Sequence, residues 1–166
     1  MLAACAPKNE YRIHGYVTNA DLNGAQIFLV PLHDQRPAMV DSVYVQDNHF
    51  EFKGHGKMRG EWMADIRMDK RHRLGVESLL VVTEPGDIYV TIGSTSSSYG
   101  TPQNDSLQVW KDLTATMNMR SRALNNLGKK AVADSVRADY RQRSHAMGEA
   151  LGEDSTLGAF LLGMYP

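Results

Sequence analysis

A single thiol sets the first limit on the chemistry available to this chain. Cys5 is the only cysteine among 166 residues, so no intramolecular disulfide, C-x-x-C dithiol or cysteine zinc site can be assembled. Disulfide exchange needs an attacking thiolate and a second thiol to release the mixed disulfide. The isolated chain is therefore expected not to turn over disulfide substrates. The six histidines, His14, His33, His49, His55, His72 and His145, form no HExxH motif and no close pair, which argues against a zinc site. Ser96, Ser97 and Ser98 lie in a run of small residues without a nucleophile-elbow pattern and read as a flexible loop. The expectation is a chain with no catalytic residue, no bound metal and no cofactor.

Charge narrows the partners. The formal net charge is −1, so the overall field would neither draw in nucleic acid nor hold the chain on an anionic membrane. The densest basic run, "RMDKRHR" over residues 67–73, is interrupted by Asp69 and falls where a hairpin turn is expected. It reads as a solvated loop rather than a phosphate site. The remaining positions for recognition are Trp62 and the "YGTPQND" stretch with Tyr99, Gly100 and Thr101. A carbohydrate or peptide held near Tyr99 and Trp62, or an anion on exposed helix-start amides, is one reading of these residues. Local structure is the weightier one: Gly100 for a sharp turn, Thr101 as a cap, Pro102 in the first helical turn and Asp105 against the helix dipole.

The elements that would position these residues follow from periodicity. "YRIHGYVT" alternates Tyr11, Ile13, Gly15 and Val17 against Arg12, His14, Tyr16 and Thr18, the period of a half-buried strand. "AQIFLVPL" is apolar enough to be covered on both faces. "MVDSVYVQ" and "HFEFKG" flank Asp47-Asn48 as a hairpin. "EWMADIRM", "ESLLVVTE" and "GDIYVTIG" add strands, the last after the Glu84-Pro85-Gly86-Asp87 turn, where Gly86 suits a positive φ. About seven short antiparallel strands predict a β-sandwich or a partly closed barrel.

Beyond residue 100 the period lengthens. Leu107, Trp110, Leu113, Met117, Leu124 and Leu127 recur at three- and four-residue steps, or multiples of them, and Gly128 ends that helix. Met117 is expected in the core and Met119 outside the stripe. A second helix carries Val132, Val136, Tyr140, Met147 and Leu151 on one face, predicting an αα-hairpin. "STLGAFLLGMY", from the possible cap Ser155, is too short to cross a bilayer. The domain organisation expected is a tether over residues 1–10, a β-sandwich over 11–100, and a helical hairpin with a C-terminal segment over 101–166.

Leu2-Ala3-Ala4-Cys5 resembles a bacterial lipobox, in which the cysteine becomes the lipidated N-terminal residue, and residues 6–10 would form a polar tether. No apolar core precedes Leu2, so the start is expected to have been trimmed. "YRIHGYV", "AQIFLVPL", "DSVYVQDNHFEFKG", "LVVTEPGDIYVTI" and "YGTPQND" followed by a helix resemble, in that order, the N-terminal domain of envelope thioredoxin-like thiol:disulfide interchange lipoproteins, known as domain of unknown function 4369. The helical remainder with "EDSTLGAFLL" resembles the connector to their thioredoxin-like domain. The resemblance implies a β fold, a periplasmic or outer-membrane lipoprotein held to the membrane only through a lipid on Cys5, and a protein partner or thioredoxin-like domain of a parent chain. It assigns no redox role to any residue here, because these 166 residues hold no C-x-x-C.

Overall fold

The computed structural model describes residues 9–55 and 61–166, so Cys5 and its lipobox lie outside the described residues. Two compact units divide the chain, Met1–Asp105 and Ser106–Pro166.

The first unit is built from eight strands: β1 (Glu10–Val17), β2 (Gln26–Pro31), β3 (Asp41–Tyr44), β4 (His49–His55), β5 (Met63–Met68), β6 (Leu79–Val82), β7 (Gly86–Ile92) and β8 (Ser97–Tyr99). They form two four-stranded sheets, ordered β4-β1-β7-β8 and β3-β2-β5-β6. These are separate ladders, so the barrel alternative is replaced by an open sandwich. Every pairing is antiparallel except β1 with β7, which runs parallel with Ile13 opposite Ile88 and Gly15 opposite Val90. A purely antiparallel sheet was the expectation. Inside–outside alternation is the same in both directions, so periodicity carries no information about strand direction. The eighth strand, β8, falls in the serine run read above as a loop; its three residues pair with β7 without any apolar signal of their own.

Alternation decides which side chains meet between the sheets. Tyr11, Ile13 and Val17 of β1, Phe50 and Phe52 of β4, and Ile88, Val90 and Ile92 of β7 pack with Ile27, Leu29, Ala64, Ile66, Leu79 and Val81 of the other sheet in one buried cluster. Each fully buried side chain of this size contributes roughly 1.5–3 kcal/mol. Gly15 is required by its neighbour: a Cβ there would lie 2.1 Å from the Phe50 ring. The β3–β4 hairpin turns at Asp47 and Asn48, with φ of 49° and 64°. That is the left-handed pair a type I′ turn needs, and Asx residues tolerate it.

The second unit holds most of α1 (Pro102–Asn126), together with α2 (Lys130–Leu151) and α3 (Thr156–Met164). Trp110 Nε1 donates to Ser144 Oγ at 3.2 Å, and Thr114 Oγ1 lies 2.8 Å from the Tyr140 hydroxyl. A four-residue step forward on α1 is matched by a four-residue step back on α2, which is an antiparallel hairpin. Gly128, at φ 71°, closes the turn. The buried face of α2 is Ala133, Tyr140, Ser144 and Gly148, whereas Val132, expected on the apolar stripe, is exposed, as is Leu127 of the connecting turn. Small residues carry little hydropathy but let a partner helix approach: a Cβ on Gly148 would stand 3.0 Å from Leu162 Cγ on α3. Ser155 caps α3 by accepting from Gly158 N–H at 2.9 Å. Trp110, Tyr140 and Tyr165 pack edge to face or tilted, and burial beside Tyr140 raises the Tyr165 phenol above its ordinary range, keeping it protonated.

Candidate functional site

The "TEPG" and "YGTPQND" stretches interlock at the start of α1. Asn104, fully buried, donates from Nδ2 to Val82 O at 2.8 Å and accepts Val82 N–H on Oδ1 at 3.0 Å. β6 is the edge strand of its sheet, so this amide fills the place of a further strand's backbone at Val82. Glu84 Oε1 accepts from Gln103 N–H at 2.6 Å and Asn104 N–H at 3.1 Å. A carboxylate from another segment thus caps the helix. The cap expected from Thr101 is not what its side chain does: Thr101 is buried and its hydroxyl accepts from Asn104 Nδ2 at 2.8 Å. Asp105 reaches back to accept Gly100 N–H at 2.9 Å. Gly100 has φ 109°, and a Cβ there would lie 2.5 Å from Asp87 O. The two stretches are a structural clasp, with their helix-start amides already occupied.

Tyr99 belongs to a different surface. The solvent side of the β4-β1-β7-β8 sheet carries Tyr16, Tyr89 and Tyr99, which are 43%, 56% and 50% exposed. Register places His14 between Glu51 and Tyr89, and Tyr89 beside Tyr99. His14 and Tyr89 stack with centroids 5.0 Å apart and planes 17° from parallel. Tyr16 meets His49 edge to face at 5.4 Å. His14 Nε2 lies 2.7 Å from Asp87 Oδ1 and Nδ1 lies 3.8 Å from Glu51 Oε2. Lys53, whose Nζ is 2.6 Å from Glu51 Oε1, holds the Glu51 carboxyl below its ordinary range. Neither His14 nitrogen meets a hydroxyl or thiol among the described residues, so the imidazole and its carboxylates tie three strands together and orient Tyr89. The result is an aromatic row, His14, Tyr89 and Tyr99, crossing three strands with Tyr16 beside it and a polar margin, a composition that protein-contact surfaces share.

Trp62 is elsewhere. It lines a groove of about 660 Å³ where β3 and β4 diverge, with Tyr11, Leu29, Met39, Val40 and Lys53 among its neighbours and Tyr99 not included. The indole Nε1 is buried and has no acceptor among the described residues, and the ring sits 5.2 Å from that of His33. The four positions singled out in the sequence therefore divide among the aromatic row, the helix clasp and this groove. His14, Tyr16 and Tyr89 escaped attention because the row exists only once β1, β7 and β8 are neighbours; their outward places in the alternation were the available signal.

The basic run forms the β5–β6 turn, as expected, and Asp69 builds it. Its carboxylate accepts the amides of Gln26 at 3.1 Å, Arg71 at 2.8 Å and His72 at 3.2 Å, and lies 2.9 Å from His72 Nδ1. Partial burial pushes this carboxyl up, and the His72 ring with the three amides outweighs it, so the group ends below its ordinary value. A depressed folded-state pKa stabilises the protein above the unfolded aspartate range, near pH 4, and that stabilisation is lost as pH falls through the folded value. The stability gap between the protein and Asp69→Asn, followed by urea unfolding, should be constant from about pH 7 to pH 5 and should close below about pH 4. A gap unchanged down to pH 2 would show that the carboxylate charge is not what holds the turn.

Among the described residues no group of three or more His, Cys, Asp or Glu side chains is arranged to hold a metal. No curated protein and no solved structure matches the chain. Residues 11–107, more than half of the 166, match the family model described as Domain of unknown function (DUF4369), and with the clasp, the hairpin and the paired strands all inside that span, the chain belongs to this family.

Proposed function

We propose that this chain is a non-catalytic interaction module of a bacterial envelope lipoprotein, anchored through a lipid on Cys5 and working beside a thioredoxin-like disulfide reductase, as a separate protein or as a domain of the same parent chain. The observation that carries this reading is the row of exposed Tyr16, Tyr89 and Tyr99 with half-buried His14 among them on one sheet. Large aromatic side chains held rigidly by cross-strand neighbours provide contact area at little entropic cost, as binding hot spots do. The single thiol supports an indirect role in redox chemistry, because one cysteine cannot resolve a mixed disulfide.

The test is site-specific photo-cross-linking in the native envelope. A benzophenone side chain replacing Tyr99 should capture a thioredoxin-like protein or domain, and the same probe replacing Leu127 should not. Equal capture from both positions, or capture from neither, would refute the docking role. With the native export signal in place, labelled fatty acid should enter the protein and be lost in Cys5→Ser; equal labelling of the two would refute the anchor.

A second reading, small-ligand binding, is favoured by the groove at Trp62 and an indole N–H with no acceptor among the described residues. A carbohydrate or short peptide seated there would change Trp62 fluorescence in titrations, whereas a ligand meeting only Tyr99 would not.

A further inference from the structure

We infer that the 69–75 loop is a contact for an anionic phospholipid surface. Asp69 fixes the turn through the bonds described above, and Gly75, at φ 74°, supplies the left-handed residue that returns the chain toward β6. The tip is thereby held in a form that turns Lys70, Arg71 and Arg73 to solvent, and none of the three has an acidic partner among the described residues. Of the two flanking acids, Asp69 is committed to the turn, and Glu77, though exposed, is tied to the neighbouring loop, its Oε2 accepting Ser96 N–H at 2.9 Å. Leu74, between these cations and Gly75, is 91% exposed, more than any other large apolar side chain described.

Each half of this arrangement points to the same occupant. Three cations within four residues of chain attract a negative surface over about a Debye length, even though the whole chain carries a net charge of −1. A soluble polyanion would satisfy them but would leave Leu74 in water. A bilayer interface satisfies both, with phosphate headgroups on the ammonium and guanidinium groups and Leu74 among the upper acyl carbons. The inference goes beyond the interaction-module reading and does not require a lipid on Cys5.

The experiment is vesicle co-sedimentation of the 166-residue chain without an acyl group, using phosphatidylcholine vesicles and vesicles of phosphatidylcholine and phosphatidylglycerol in equal parts. The chain should bind the anionic vesicles only, and less as salt rises. Lys70→Ala/Arg71→Ala/Arg73→Ala should weaken binding about a hundredfold, at roughly fivefold for each basic residue. Leu74→Ser should weaken it about tenfold. All four side chains are exposed, and unchanged circular dichroism will confirm that the variants are folded. No binding to anionic vesicles at low salt, equal binding to both vesicles, or binding unaffected by the triple substitution would overturn the inference. So would binding that Leu74→Ser leaves intact and heparin abolishes, which would mark a polyanion site. Because the chain is unacylated and no protein partner is present, none of these outcomes bears on the role of the aromatic row.

Discussion

Asn104→Leu is expected to destabilise the β unit by about 3 kcal/mol, one of the two largest effects predicted for a single substitution here. Leucine keeps the branch point and the number of side-chain heavy atoms of asparagine, so the packing change is confined to its bulkier methyl groups. The cost comes from Val82, whose buried N–H and C=O lose the amide that satisfies both, and each such orphan costs about 1–3 kcal/mol. Thr101 Oγ1 loses its donor as well. A urea titration followed by circular dichroism, with hydrogen exchange at the Val82 amide as the local probe, will measure it. The outcome separates two accounts of the "YGTPQND" stretch. A ligand-binding loop would tolerate the change with a stability loss below about 0.5 kcal/mol, as surface substitutions usually do; a clasp that stands in for a strand would not.

The second large effect concerns the helical unit. Helix propensity alone predicts that Gly158→Ala stabilises α3 by up to about 1 kcal/mol. Sterics predict the reverse: a Cβ at this position would stand 2.0 Å from Gly152 O and 2.6 Å from Ser155 Oγ, the atom that caps the helix. The first neighbour is backbone and cannot rotate away, so α3 must shift off the turn after α2. Leu157 and Leu161, both fully buried, would move with it. Net destabilisation of about 2–4 kcal/mol is expected, read as faster amide exchange through α3 and a lower melting temperature. A stabilised protein would show that the turn at Gly152 yields without cost.

Much of the β unit was legible because its strands obey a period of two: Tyr11, Ile13 and Val17 in, Arg12 and Tyr16 out. Asp47-Asn48 announced its turn through residues that accept positive φ. What stayed hidden was non-local. Glu84 caps a helix through amides 19 and 20 residues downstream, and nothing near Glu84 in sequence says that a helix start will arrive there. Asn104 lies inside the "YGTPQND" motif but carries no role there that its neighbours in sequence reveal, because its partner Val82 lies 22 residues away. On α2 the buried stripe runs through Ala133, Ser144 and Gly148, where close approach rather than hydropathy selects the residue. Tyr99 was singled out with Trp62, but strand order gives it Tyr89 and His14 as neighbours instead, and that order depends on the parallel β1–β7 pairing.

The proposed docking role of that row is most directly tested by titrating the 15N-labelled chain with the thioredoxin-like protein or domain proposed as its partner and mapping the amide shifts. The account predicts that the largest shifts fall on the β4-β1-β7-β8 sheet, at Arg12 to Tyr16, Tyr89 and Ser97 to Tyr99, and that Tyr89→Ala/Tyr99→Ala abolishes them while leaving the fold intact. Shifts confined to the groove around Met39 and Trp62, or to the α1–α2 hairpin, or no shifts at all, would contradict it.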